Sequence, residues 1–266
     1  MTQLSHDFKY QPTISLSSEQ IEAFHRDGFL SVPQISTPEE IEMMREAYDR
    51  IFSSEVGRAD GNKFDLAGDG EEGKTQTLPQ ILGPEQYAPE LWDTQARANA
   101  LHIVRQLFGP QMAVQGSHAI FKPAQHGATT PWHQDEAYWN PDFEYQSVSV
   151  WMPLQDVDEE NGCMQFISGS HQSEILAHQP IGNNPKIHGL ELSPEANADV
   201  SNPTICPLSA GGCTLHPSRT LHFTAANNSL RPRRAFIMIF GAPTVSREEL
   251  GLPKRRFPWK EKRQTL

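Results

Sequence analysis

Hydrophobic and polar positions follow two different rhythms along this chain. In the first third, apolar residues recur at helical spacing. Residues 17–27 carry Ile21 and Phe24 on one face and run into Gly28, a stop signal. Phe29, Leu30, Ser31 and Val32 then read as a short strand. Thr37-Pro38-Glu39-Glu40 predicts a helix start: Thr37 can cap, Pro38 suits the first helical position, and Glu40 can complete a capping box. Ile41, Met44, Tyr48 and Ile51 fall on one face of that helix. Residues 56–86, rich in Gly, Asp and Glu, read as a surface excursion. A further helix is predicted over residues 91–108, stopped by Gly109-Pro110.

From Met112 the rhythm changes. Short apolar or alternating runs recur at 112–121, 147–154, 163–167, 212–216 and 234–240, with Pro, Gly and Asn clustered between them. That pattern predicts an antiparallel β sandwich or barrel. Helices first and strands afterwards make a mainly β domain with flanking helices. We therefore expect one domain over 1–266: a helical flank to about residue 110, a β core over about 111–245, and a basic tail. Residues 180–207 are long and irregular and are expected to cross one mouth of the barrel.

Composition narrows the class. Hydrophobic residues make up 37% of the 266, enough to bury a real core. The net charge of −11 argues against nucleic acid and anionic membranes as partners. No apolar run approaches the roughly 20 residues of a membrane helix, and residues 1–7 lack a secretory core, so a cytoplasmic location is expected. Cys163, Cys206 and Cys213 have no metal-clip spacing and read as structural thiols. Lys254, Arg255, Arg256, Lys260, Lys262 and Arg263 are expected to form a solvated tail, the alternative being a lid or clamp for an anionic substrate.

Two segments carry chemistry. In Pro131-Trp132-His133-Gln134-Asp135, a strand would point His133 and Asp135 to the same face. With a third ligand from elsewhere they make a set of two histidines and one carboxylate, which leaves open positions on an octahedral metal and is diagnostic of non-haem iron oxygenases. Alone, the pair could also be an ordinary surface strand. The second segment is Leu221-His222-Phe223-Thr224, followed by a polar turn and Arg231, Arg233 and Arg234. An arginine beside an iron site can hold the far carboxylate of 2-oxoglutarate bidentately. Two of the three arginines are expected in a solvated turn.

These motifs, in this order, resemble the phytanoyl-CoA dioxygenase (PhyH) family of iron(II)/2-oxoglutarate oxygenases. The resemblance runs from about Leu16 to Ala242. It rests on residues 19–30, Phe121-Lys122-Pro123, residues 131–136, Asn161-Gly162-Cys163, Gly169-Ser170-His171, and His222 with Asn227, Ser229 and Arg233. It departs at Gly212-Cys213, where relatives have Gly-Asp, and at Ser168, where they have Pro. The resemblance implies a double-stranded β-helix (jelly-roll, cupin-like) core. It implies His133, Asp135 and His222 as iron ligands and Arg233 as the 2-oxoglutarate arginine. Gln134, Thr224, Trp151, Lys122 and Ile120 would line the co-substrate site. His216 is an alternative third ligand, but Asn227, Ser229 and Arg233 keep register with His222.

The implied activity consumes dioxygen and 2-oxoglutarate, releases succinate and CO2, and hydroxylates a C–H bond of a small molecule. Asp135 itself argues against halogenation, since related halogenases replace this carboxylate with a small residue. Tyr138, Trp139, Phe143 and Tyr145 are candidates for a substrate wall. A monomer or small homo-oligomer is expected. Two other classes compete: a zinc hydrolase or lyase on the same barrel, and a non-catalytic binding protein.

Overall fold

Each predicted helix start is written in side chains that cap it. The computed structural model describes residues 8–71 and 73–261. Ser17 caps α1 (Ser18–Asp27) in a reciprocal box with Gln20, and Gly28 closes it in the left-handed region (φ 77°). Thr37 caps α2 (Pro38–Phe52), whose Ile41, Met44, Tyr48 and Ile51 are buried as expected. Glu40 does not complete a capping box there. Its carboxylate accepts from Ser36 Oγ (2.5 Å) and from the backbone N–H groups of Gln95 (2.6 Å) and Ala96 (3.0 Å). Those open α3 (Gln95–Phe108), which begins four residues later than the pattern predicts because Pro89–Leu91 forms a separate 3-10 turn. The unpaired N–H groups and positive end of α3 attract Glu40 away from its own helix.

The strands follow in order: β1 (Leu30–Val32), β2 (Lys63–Asp65), β3 (Pro79–Leu82), β4 (Ala113–Lys122), β5 (Thr130–His133), β6 (Phe143–Glu144), β7 (Ser147–Pro153), β8 (Met164–Phe166), β9 (His178–Pro180), β10 (Leu190–Leu192), β11 (Thr204–Cys206), β12 (Cys213–Pro217), β13 (His222–Thr224), β14 (Arg233–Gly241) and β15 (Val245–Ser246). Seven make the major sheet, in the order β1-β12-β7-β14-β4-β3-β2, and four make the minor sheet, β11-β8-β13-β5. The two sheets form a jelly roll. Residues 56–86 are not merely a surface excursion: β2 and β3 extend the major sheet. Their polar composition hides this, since Lys63 is buried by donating to the Ile51, Phe52 and Ser54 carbonyls.

Strand alternation sorts β14 between two cores. Phe236, Met238 and Phe240 face the helices, packed with Met44, Tyr48, Val148 and Val150. Ala235 and Ile237 face inward with Trp151, Met164 and Phe166. Cross-strand register then arranges the inner face in rows: Leu82, His118, Ile237, Trp151 and Thr214 in one, and Ile239, Ser149 and His216 in the next. Residues 180–207 contain β10 and β11 and three-residue helical turns, so their irregularity is partial. Among the described residues no helix is long and apolar enough to cross a membrane, and all three cysteines are free and buried.

Candidate metal and co-substrate site

His133 ends β5, and its register partner on β13 is His222. The strand does not continue to Asp135, as the sequence pattern predicts. Asp135 opens a 3-10 turn (Asp135–Tyr138), and that turn brings its carboxylate between the two imidazoles. Asp135 Oδ1 lies 3.6 Å from His133 Nε2 and 3.4 Å from His222 Nε2. The three side chains offer donor atoms all within 4.8 Å of one another. His133 Nδ1 lies 2.8 Å from the Pro131 carbonyl, and His222 Nδ1 lies 2.9 Å from the Thr220 carbonyl. A carbonyl only accepts, so each Nδ1 carries the proton and each Nε2 keeps its lone pair for a metal. Burial and the neighbouring His222 lower the His133 pKa. Burial alone would raise the Asp135 carboxyl, but the surrounding histidines, His222 foremost, hold it well below the usual range. The donor set fits a divalent ion with open positions.

Beyond the triad lies a buried pair of cations. Lys122 and Arg233 are register partners on β4 and β14, respectively 0% and 1% exposed. Among the described residues neither joins a salt bridge. Lys122 Nζ donates to Thr224 Oγ1 (2.7 Å) and to the Thr224 (3.2 Å) and Ala225 (2.5 Å) carbonyls. Arg233 Nη2 reaches Thr224 Oγ1 at 3.4 Å, while its Nε and Nη1 have no partner. The Trp151 ring lies 5.3 Å from the guanidinium. Burial pushes Arg233 down to about 9, and burial with the Arg233 charge holds Lys122 well below its ordinary value. An unpaired buried charge is costly, so this arrangement fits an incoming carboxylate. Asn227 fixes the turn that returns the chain to β14, donating to the Lys122, Pro123 and Arg231 carbonyls. Gly162 (φ 85°) passes so close to Ala225 that a Cβ would meet its carbonyl at 2.4 Å. Arg231 is exposed, and Arg234 pairs with Asp49 at 2.5 Å.

Triad and arginine share a chamber of about 350 Å³. Ile120, Trp151 and Thr224 line it; Lys122 stands behind Thr224 rather than on the wall. Gln134 is a correction. It is fully buried, and its amide is spent on the Arg219 carbonyl (2.8 Å), the Glu174 carbonyl (3.4 Å) and the Leu176 N–H (2.8 Å), away from the chamber. We expect Gln134→Leu to lower thermal stability but leave 2-oxoglutarate affinity within about twofold, measured by anaerobic titration; a loss above tenfold would restore it to the site.

Of the four aromatic candidates, Tyr138 and Trp139 line the chamber, while Phe143 lies in β6 and Tyr145 packs on Trp139. Sequence reading missed Phe64, Leu66, Gln80, Leu82, Ser149, Ile237 and Ile239 as wall residues. Alternation with Trp151 could have found Ser149. Of the remaining histidines, His118 lines the chamber and His178 is a support, its Nε2 accepting from Gln134 N and its Nδ1 facing the Leu176 carbonyl. Burial lowers His178 to about 4. His171 packs outside, against Gly28 and the His25 carbonyl. A larger open groove meets the chamber at Phe64 and His188, whose ring centroids are 4.9 Å apart.

Among the described residues the basic tail is packed down in part rather than solvated as a whole. Arg255 reaches Glu136 (2.9 Å) and Glu144 (2.5 Å), and Lys260 donates to the Tyr138 and Trp139 carbonyls. Trp259 Nε1 donates to the Ala137 carbonyl. Lys254 and Arg256 are exposed, and Lys262 and Arg263 lie outside the described residues. Buried Glu136 is paired with Arg219, and the tail adds Arg255 as a second cation on the same carboxylate.

The phytanoyl-CoA dioxygenase (PhyH) family model matches residues 24–235. The chain is 24% identical over 229 residues to a probable alpha-ketoglutarate-dependent hypophosphite dioxygenase of Stutzerimonas stutzeri, covering 85% of this chain and 78% of that one. It is 25% identical over 263 residues to an ectoine dioxygenase of Bordetella parapertussis, covering 91% and 81%. Among solved structures, EvdO2 from Micromonospora carbonacea var. aurantiaca, complexed with 2-oxoglutarate, superposes with a TM-score of 0.77 at 30% identity, covering 94% of this chain and 99% of that one. With the family model spanning most of its length and a histidine–aspartate–histidine cluster that shares its chamber with an arginine whose Nε and Nη1 have no partner, the chain belongs to the phytanoyl-CoA dioxygenase family.

Proposed function

We propose that this iron(II)- and 2-oxoglutarate-dependent dioxygenase hydroxylates a C–H bond in a small organic molecule whose reacting part is uncharged. His133, Asp135 and His222 would hold the iron; Arg233 and Thr224 would hold the far carboxylate of 2-oxoglutarate. Bound iron(II) supplies the redox chemistry that couples decarboxylation of the co-substrate to oxidation of the substrate. In the balanced reaction, R–H, dioxygen and 2-oxoglutarate give R–OH, succinate and CO2, one oxygen atom entering each of the first two products.

The observation that carries the co-substrate assignment is the buried Arg233 guanidinium, whose Nε and Nη1 have no hydrogen-bond partner. Its Nε–H and Nη1–H groups are free, and Nη2, whose one contact is 3.4 Å from Thr224 Oγ1, keeps a second hydrogen, so a bidentate fork of Nη1–H with Nη2–H is open to a carboxylate. Thr224 Oγ1 already accepts from Lys122 and Arg233, so its own hydrogen is left to donate into the chamber. Trp151 and Ile120 wall the co-substrate from water. A zinc hydrolase would have no use for this fork. Glu136, the nearest carboxylate in sequence, is locked in ion pairs rather than poised as a base. Anaerobic addition of iron(II) and then 2-oxoglutarate should produce a weak visible charge-transfer band, and oxygen should release succinate. No band together with turnover on zinc would overturn the reading.

The chamber wall also speaks to the substrate. Among the described residues, the chamber residues able to carry charge near neutral pH, apart from Asp135 and Arg233, are histidines, and burial lowers the His118 pKa. A charged reacting centre would lose its hydration without gaining a counter-ion. We therefore expect hypophosphite and ectoine, the substrates that two relatives are named for, to cause no succinate release above the substrate-free rate. Stimulation of more than about threefold by either would reject an uncharged reacting centre.

A further inference from the structure

We infer that His216 and Ser149 are positioning residues that anchor the outer oxygen of Asp135, so that the carboxylate presents only Oδ1 to the metal. This rests on the assignment of His133, Asp135 and His222 as ligands. The two Asp135 oxygens have different surroundings. Oδ1 faces both ligand imidazoles, at 3.6 and 3.4 Å. Oδ2 accepts a hydrogen bond from Ser149 Oγ at 2.7 Å and lies 3.5 Å from His216 Nε2.

Ser149 and His216 are register partners on adjacent strands, β7 and β12, so one row of the major sheet delivers both groups to one oxygen. They are 3% and 2% exposed. The His216 ring is held between His222 (centroids 4.3 Å apart) and Phe166 (5.2 Å). Neither of its nitrogens has a hydrogen-bond partner, so its imidazole is not spent on the fold. The one acceptor facing Nε2 is the Asp135 carboxylate. His216 is thus not a competing third ligand: it is not in the cluster of close donor atoms, and its Nε2 faces Oδ2 of Asp135 rather than Oδ1. An aspartate free to swing could give both oxygens to the metal and take a position needed for the co-substrate or dioxygen. A fixed outer oxygen prevents this, and such outer contacts commonly govern metal affinity by 10- to 100-fold.

The test is anaerobic titration of metal-free protein with Co(II), read by its d–d absorption, then with 2-oxoglutarate. His216→Phe keeps the ring packed on Phe166 and removes both nitrogens; Ser149→Ala removes one oxygen. Each should weaken Co(II) binding by about 10- to 100-fold and shift the d–d spectrum, with the melting temperature of the metal-free protein unchanged. His216→Gln, whose amide N–H can still reach the carboxylate, should recover most of the affinity. The double variant should fall short of the product of the single effects, because both act through Oδ2. Wild-type affinity and spectrum in both single variants would overturn the inference, as would a His216→Gln no better than His216→Phe. If His216→Phe does not fold, Ser149→Ala decides in the same terms. Failure of the ligand assignment looks different: wild type would then bind Co(II) no better than His222→Ala, and this inference would fall with it.

Discussion

Replacing Arg233 with methionine is expected to weaken 2-oxoglutarate binding by roughly 30- to 1,000-fold, or about 2–4 kcal/mol, while leaving iron(II) affinity in the absence of co-substrate within about threefold. The guanidinium is 1% exposed and lies beside a second buried cation, so a carboxylate reaching it meets a dry, strongly positive site. Losing the fork leaves Lys122 behind Thr224, too committed to backbone carbonyls to replace it. Arg233→Lys should fall between the two, because it restores charge without the planar pair of donors. The sign for stability is opposite to that for binding. Burial holds the Arg233 pKa down to about 9, which means that folding works against its charge. The ligand-free methionine variant should therefore melt no lower than wild type, and the stabilisation that 2-oxoglutarate gives wild type should largely vanish. Calorimetric titration and thermal unfolding measure both. Equal loss of iron and 2-oxoglutarate affinity would mean that Arg233 supports the fold rather than the co-substrate.

How much of this site could be read beforehand depended on how local the cause was. That His133, Asp135 and His222 would come together was legible because the residue types and their order are written in single residues. Their geometry was not. The pattern predicts a continuous strand through Asp135, whereas a 3-10 turn makes the approach, held by contacts to residues far along the chain. The alternating runs after Met112 marked the jelly roll, since half-buried strands must alternate. The strands β2 and β3 escaped because Lys63 and Gln80 are buried polar residues, and alternation in hydrophobicity cannot reveal them. Gln134 and Glu40 failed for a common reason. Each sits where a local motif suggests a local role, and each has been taken over by a partner 40 or more residues away: the Arg219 carbonyl in one case and the start of α3 in the other. The tail charges were misread in the same way, as solvated, because the acids that bind them lie more than 100 residues earlier.

Those acids set the second large effect. Glu136→Ala is expected to destabilise the protein by about 3–5 kcal/mol, lowering the melting temperature by roughly 6–20 °C at about 2–4 °C per kcal/mol. Glu136 is 1% exposed and immediately follows Asp135. It accepts both Arg219 Nε and Nη2 at 3.0 Å, Ser218 Oγ at 3.0 Å, and Arg255 Nη1 at 2.9 Å. Glu144 bridges the same two arginines and also pairs with Arg247. Removing Glu136 leaves three guanidinium groups around Glu144, with the exposed Glu174 reaching only Arg255 at 3.8 Å, the situation in which a buried pair costs most when broken. Arg255→Ala takes away one cation of several and should cost less, about 1–3 kcal/mol, with Glu136 still held by Arg219. The two effects should not add in the double variant, because the second substitution removes a positive charge that the first had left in excess. The consequence reaches the metal through one peptide bond. The turn carrying Asp135 is clamped by Glu136 on one side and by Trp259 and Lys260 on the other, so Glu136→Ala should also weaken Co(II) binding at temperatures where the variant is still folded. A Glu136→Ala protein that unfolds within about 1 kcal/mol of wild type would show that the network is screened by solvent and that the tail does not hold the metal-bearing turn.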